Sequence, residues 1–438
     1  MDENVKMNDS LTNSLLQVNN LLYKMSPALG IAARRNHRID FAQQAQYSPS
    51  ETIVYDCQTG SDFVGGKNSY LKLKVSKVGA GTAELGSGSI CNIINRVVVR
   101  SRTGKELTRV ENFNLLCKDI QVWDCPKEWK ETAGGAQGYG SDSSAATGND
   151  NIVPTNGKVF IIPMWVIPCF NQDRLMPPQL MSGCRIEITL ENVATAFRST
   201  GVVDSYVVDR PEIHWDTYDL ADAYKRKIAE MASRQGLNLL HKEYFHTIVS
   251  GSATETDFNF DIKKACSKAL KAMIHTRSTA QVSSLGFDSV GTLRYDYSQY
   301  QSRIGADYFP NAPISVDDTS INGNAESYYH SLFVWNKTAN CWNPSSVTPL
   351  EYTSTNATIN TPPDEYENSL VAFNYNKSHV SDLQGYIVSN SRSILIDLKA
   401  TPLPGAFPTG TETPRRLDVY LQYLRAVKVY ISNVEVKD

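Results

Sequence analysis

Two short stretches decide the fold: Cys-Arg-Ile-Glu-Ile-Thr-Leu at residues 184–190 and Arg-Ser-Ile-Leu-Ile-Asp-Leu at residues 392–398. Each alternates apolar and polar side chains, the pattern of a strand with one buried face. Each is followed, after a loop, by a long β-rich segment. The first is SYVVDRPEIHWDTYDL at 205–220, and the second is LDVYLQYLRAVKVYISNVEV at 417–436. Ile188 and Ile396 stand 208 residues apart in a chain of 438, close to half its length. The expectation is one β-fold written twice, as tandem sandwiches. Each half, at roughly 200 residues, is large enough to bury its own core.

Bulk composition narrows the function. Hydrophobic residues make up 41% and charged residues 20%, a globular balance rather than a disordered one. A net charge of −3 argues against a dedicated nucleic-acid-binding domain. The cysteines, Cys57, Cys91, Cys117, Cys125, Cys169, Cys184, Cys266 and Cys341, form no CxxC pair. Buried free thiols and folding in a reducing compartment are expected. No apolar stretch reaches the ~18–20 residues that span a bilayer. The first ten residues are polar and acidic, unlike a signal peptide. The sequons at Asn336, Asn356 and Asn376 are therefore expected to carry no glycan.

Along the chain, residues 1–34 read as an N-terminal arm. Its core is an amphipathic helix over 8–24, with Leu11, Leu15, Val18 and Leu22 on one face. Asn8, Asp9 and Ser10 are its candidate caps, and Pro27 and Gly30 end it. A basic turn follows, with Arg34, Arg35, His37 and Arg38. Residues 35–218 form the first sandwich, with strands expected at 52–57, 70–78, 96–102, 159–167 and 185–190. A short helix is expected over 110–120. The Gly/Ser/Ala-rich segment 133–150 reads as a loop that builds no core. Residues 219–242 read as a helical linker. Residues 243–438 form the second sandwich, with a helical turn expected between its early strands. It carries a large loop insertion around 317–385, within which 328–335 and 370–375 read as isolated strands.

No concentrated chemistry appears. There is no GxxxxGK[ST], and Gly79, Gly81, Gly86 and Gly88 lack the Lys-Ser/Thr that a phosphate loop needs. There is no HExxH, no HxH pair and no GxSxG. His241 and His246 are five apart and read as incidental. No catalytic, cofactor-binding or metal-ligating residue is assigned, and neither an enzyme nor a cofactor is expected.

Residues 297–314, YSQYQSRIGADYFPNAPI, carry a resemblance. The run Arg303-Ile304-Gly305-x-x-Tyr308-Phe309-Pro310 resembles the corresponding segment of double jelly-roll major capsid proteins from small double-stranded DNA viruses. These are the proteins of polinton-like viruses, adintoviruses and virophages. Residues 417–438 resemble the last strand of that family, and the layout agrees over most of the chain. The chain is shorter than many eukaryotic members, which implies smaller surface decorations.

The resemblance implies an all-β chain of two tandem eight-stranded jelly rolls. It implies homotrimers that look hexagonal and tile an icosahedral virion capsid, assembled in the host cytoplasm or nucleus. The implied partners are neighbouring capsomers and minor (penton) capsid proteins. An internal membrane or the genome would lie at the inner face, without sequence-specific nucleic-acid binding. Leu11, Leu15, Val18 and Leu22 would then form an assembly arm, and Arg34, Arg35 and Arg38 would face the interior.

Taken by themselves, the motif residues predict a strand end. Gly305 permits positive φ there, Tyr308 and Phe309 anchor the loop in the core, and Pro310 and Pro313 stiffen its exit. Two other readings stay open. One is a carbohydrate-binding sandwich, a lectin or adhesin, whose loop tryptophans Trp335 and Trp342 stack on sugars. The other is a minor capsid protein.

Overall fold

A computed structural model describes residues 32–438 apart from 87–88, 140–150, 200, 253–254, 280–281, 283–284, 286–287, 293–296, 317–324, 339–342, 354–367, 378–384, 390–391 and 401–414. The arm helix expected over 8–24, with Leu11, Leu15, Val18 and Leu22, lies outside the described residues.

The strands of the first half are β1 (Ala32–Phe41), β2 (Gln46–Tyr47), β3 (Thr52–Asp56), β4 (Phe63–Val64), β5 (Tyr70–Val78), β6 (Ala83–Glu84), β7 (Ile94–Arg100), β8 (Glu106–Val110), β9 (Ile152–Val153), β10 (Lys158–Pro163), β11 (Arg185–Leu190) and β12 (Ser205–Leu220). Those of the second are β13 (Leu237–Gly251), β14 (Asp257–Ile262), β15 (Cys266–Ser278), β16 (Tyr297–Ile304), β17 (Asp307–Ser315), β18 (Val371–Asn374), β19 (Tyr386–Val388), β20 (Ile394–Ala400), β21 (Arg415–Val429) and β22 (Val434–Lys437).

The two halves share one topology. In the first, a sheet ordered β1-β12-β5-β10 faces a sheet ordered β3-β11-β7-β8. In the second, β13-β21-β15-β18 faces β14-β20-β16-β17. Both are the eight-stranded jelly-roll order, with the first and last long strands side by side. Ile188 lies between Ile53 and Val97. Ile396 lies between Phe260 and Ser302, on the equivalent strand.

Alternation builds both cores. β11 runs exposed-buried along its length, with Ile186, Ile188 and Leu190 inward. In β20, Ile394, Ile396 and Leu398 do the same against Phe258, Ile274, Val419 and Leu421. Fully burying each such side chain is worth about 1.5–3 kcal/mol. Prolines sit where the ladder tolerates them. Pro163 ends the edge strand β10, and Pro310 and Pro313 lie on the edge strand β17. Pro211 falls at the β12 bulge, where Arg210 takes φ 43°.

Several expectations are corrected. The basic turn is part of β1, which pairs with β12 from Ala32↔Leu220 onward, so the sandwich starts before residue 35. The linker is shorter than 219–242. Its helix is Asp222–Arg234, and Leu237 already pairs with Val429. The strand expected over 159–167 stops at Pro163 and continues as two 3-10 turns. No helical turn separates β14 from β15. Of the stretch 328–335, all but Trp335 lies in a helix, Ala325–Val334, although its aromatic and valine residues favour strands in isolation. The insertion around 317–385 contains β18, an integral strand of the second sandwich. In the segment expected to be a coreless loop, Ala133–Gln137 form a 3-10 turn and Tyr139 is buried. The Tyr139 hydroxyl donates to Gln121 Oε1 at 2.8 Å, and Gln121 Nε2 donates to Gln137 Oε1 at 2.6 Å.

Candidate functional site: the seam between the sandwiches

The structure concentrates its buried polar chemistry where the two jelly rolls meet. The helix Phe113–Asp124, between β8 and β10, has Phe113, Leu116 and Ile120 in the first core. It starts behind Asn112, which takes φ 46°, a conformation that asparagine accepts more readily than most residues. The other side of this helix lies on the outer face of the β13-β21-β15-β18 sheet. Alternation sends Asp418, Tyr420 and Gln422 to that face and Leu417, Val419 and Leu421 to the second core.

Asp418 is the centre of the seam. Its carboxylate accepts from Arg277 Nε at 2.9 Å and Arg277 Nη2 at 2.5 Å, and from Arg416 Nη2 at 2.9 Å. From the first half, Asn112 Nδ2 donates to it at 3.1 Å; within the second half, His246 Nε2 lies 3.0 Å away. Burial alone would push this carboxyl up. The Arg277 charge, the His246 hydrogen bond and the Arg416 charge outweigh burial and hold it well below the usual carboxylate range. Nearby, the Tyr420 hydroxyl donates to Asn112 O at 2.7 Å. His275 Nε2 is 2.7 Å from Asp119 Oδ2, and Lys118 Nζ donates to Val290 O at 2.9 Å.

A second buried group ties β8 to β13. Glu243 accepts from the Thr108 hydroxyl and lies 3.5 Å from Arg425 Nη1. Arg425 also donates to Leu107 O at 3.2 Å, and His241 Nε2 is 3.1 Å from the same carbonyl. Trp123 meets Tyr352 edge-on at 6.1 Å, and the Ser346 hydroxyl donates to Val122 O at 2.6 Å. Buried charges removed from water require partners, and here the two halves supply them to each other.

An open cleft of about 620 Å³ runs along the seam, lined by Trp165 and Asn171 from the first half and by Tyr244, Lys271 and Trp335 from the second. Its cations are compensated locally. Lys67 pairs with Asp173 at 2.5 Å, Lys337 with Asp124 at 3.0 Å, and Lys271 Nζ sits 3.2 Å from the Trp335 ring centroid. Among the described residues, no group of three or more His, Cys, Asp or Glu is placed to hold a metal ion. Among them, too, no helix is long and apolar enough to cross a membrane.

Among the described residues, the basic residues and the motif residues singled out from the sequence lie on different strands. Arg34 lies in β1, whose pairing with β12 sets Arg35 opposite Tyr218 and Arg38 opposite Trp215. Arg35 and Arg38 therefore project to opposite faces of the strand. Arg35 is neutralised by Asp216 at 2.7 Å. The motif residues form the β16–β17 hairpin. Ile304 is buried, Gly305 turns at φ 64°, and Phe309 meets Tyr375 and Tyr386 edge-on. Tyr308 does not anchor the core. It is 45% exposed, and the Arg303 guanidinium lies 5.9 Å from its ring centroid. Trp335 is 6% exposed, buried rather than presented to a sugar, and Trp342 lies outside the described residues. The histidines read as incidental, His241 and His246, both reach across the seam. A polar residue on an alternating strand signals only that it faces away from its own core, so the sequence alone did not reveal them.

No protein-family model matches the chain, and no curated protein does. Solved structures do. The chain is similar to VP54 of PBCV-1, fitted into a reconstruction of the virophage Sputnik. The identity is 9%, the TM-score 0.62, and the match covers 94% of this chain and 99% of that one. A chain of the Sputnik virophage structure gives 10% identity, TM-score 0.60, and coverage of 94% and 90%. The Faustovirus major capsid protein gives 9%, 0.56, and 91% of each chain. The likeness runs through both sandwiches, and the chain has the double jelly-roll fold of these viral capsid structures.

Proposed function

We propose that the chain is the building block of an icosahedral viral shell, a major capsid protein that acts as a homotrimer. The observation that carries this reading is the repeated jelly-roll order, joined through a buried seam and similar to a viral capsid structure over 94% of the chain. Three chains of two similar sandwiches give six similar units around a threefold axis, which tile a shell. Such a role needs rigidity and complementary surfaces and no catalytic group. The burial of Trp335 weighs against the sugar-binding alternative. Sedimentation of the purified protein tests the proposal. The expected species has three times the 48.7 kDa chain mass, and a monomer at micromolar concentration would overturn the reading.

Neighbouring capsomers and minor capsid proteins are the proposed partners within the virion. The stripe Leu11, Leu15, Val18 and Leu22 is proposed as the arm that reaches them or an inner membrane. A helix of this length is marginal alone in water and needs a partner surface. Removing residues 1–26 is expected to leave a folded trimer and impair shell formation. Normal shells from the truncated chain, seen by negative-stain microscopy, would refute the arm.

A further inference from the structure

Two cysteines meet inside the first sandwich. Cys91 lies in the 3-10 segment Ser89–Ile93, and Cys117 lies in the helix Phe113–Asp124. Cys117 Sγ is 2.8 Å from Cys91 Sγ, and both side chains are wholly buried. The sulfurs of a disulfide stand about 2.05 Å apart, so closing the bond asks for less than about 1 Å of approach. A metal site would need more donors, and among the described residues no group of three or more His, Cys, Asp or Glu forms one.

The helix that carries Cys117 also reaches the second sandwich through its next two residues. Lys118 Nζ donates to Val290 O at 2.9 Å, and Asp119 Oδ2 lies 2.7 Å from His275 Nε2. A bond from Cys117 to Cys91 therefore pins the seam helix to the first sandwich. The two cysteines are 26 positions apart, with β7 and β8 between them. The bond would also restrict the unfolded chain over that loop.

We infer that Cys91 and Cys117 are an oxidation site, which a reducing compartment leaves as two thiols and which hydrogen peroxide closes into a disulfide that staples the seam helix. In the first step one sulfur, as its thiolate, attacks an oxygen of the peroxide. The S–O bond forms, the O–O bond breaks, and the departing hydroxide takes up the proton that the thiol lost and leaves as water. In the second step the other sulfur attacks this sulfenic sulfur. The S–S bond forms, the S–O bond breaks, and a second water leaves. The two sulfurs together give up two electrons, and the peroxide accepts them. Burial, and then the Cys91 hydrogen bond, hold the Cys117 thiol well above its ordinary range, so thiolate is scarce and closure is slow. The same burial shields the finished bond from larger thiol reductants. This chemistry belongs to the single chain and is independent of the shell-subunit reading.

Full-length protein purified under reductant is treated with hydrogen peroxide below its melting range, and the remaining thiols are alkylated in denaturant. Tryptic digestion without reduction is expected to yield residues 78–96 joined to residues 110–118, lighter than their sum by a pair of hydrogens. The thermal midpoint of the oxidised protein should rise by about 3 °C or more and return to its starting value after reduction by a phosphine. The Cys91→Ala variant should show no rise, and the peptide map of the unaltered chain stands without it. Cys91 and Cys117 both recovered alkylated, or a sulfinic acid at either in place of the link, would overturn the assignment. So would a link between Cys57 and Cys184 alone, whose strands set Cys57 N against Cys184 O at 2.8 Å. A link that leaves the midpoint unmoved overturns the staple.

Discussion

Asn112 of the first sandwich donates to the Asp418 carboxylate of the second at 3.1 Å, and so joins an ion pair that Arg277 and Arg416 have already made. The two residues are 306 positions apart, and their contact is one of those that join the halves into one body. Asp418→Asn leaves Arg277 buried with a weakened partner. Breaking a buried pair in this way typically costs about 3–5 kcal/mol. Asn112→Ala, which removes one hydrogen bond to a charge, should cost about 1.5–3 kcal/mol. Urea unfolding of both variants checks the order, and an Asp418→Asn loss below that of Asn112→Ala would contradict this account of the seam.

Acid should weaken the seam. The Asp418 carboxyl is held far below its unfolded value of about 3.9. Its contribution is therefore complete at neutral pH and declines as pH falls below about 4 towards the folded value. Melting midpoints are expected to be nearly level between pH 7 and 5 and to fall steeply below 4. The acid slope of Asp418→Asn should be shallower, and superimposable slopes would remove Asp418 from the explanation.

Equivalent core positions should have similar costs. Ile188 and Ile396 are each about 1% exposed at the centre of corresponding sheets. Truncation of either to alanine should cost about 2–5 kcal/mol through lost burial and the cavity left behind. If one substitution proves neutral in denaturant unfolding, the two cores are not alike.

The segment 133–150 divides at Tyr139. Deleting 141–149 is expected to leave unfolding within about 0.5–1 kcal/mol of wild type, because closure entropy changes slowly with loop length. Extending the deletion to 135–148 removes Gln137 and Tyr139, whose hydrogen bonds with Gln121 are buried. That larger deletion should lower stability by several kcal/mol. Equal stability of the two deletions, measured by calorimetry, would show that Tyr139 contributes nothing.

The sequence by itself determined the strands and their doubling. Alternation at Arg185–Leu190 and at 392–398 marked the same central strand twice, and a glycine at 305 marked a strand end, which the structure extends into a hairpin with Asp307–Ser315. These are local properties: a period of two and a backbone angle depend on neighbours along the chain. Only the tertiary structure decided what covers the outer faces. Asp418, Arg277, His275 and Gln422 are polar residues of long strands, yet all four are buried. Residues 328–334 have strand-forming composition, yet they lie in a helix packed against β17 and β18. Alternation specifies which side of a strand faces its own core and carries no information about a second body. Joining two sandwiches over buried charge depends on residues hundreds of positions apart, and it exists only once both have folded.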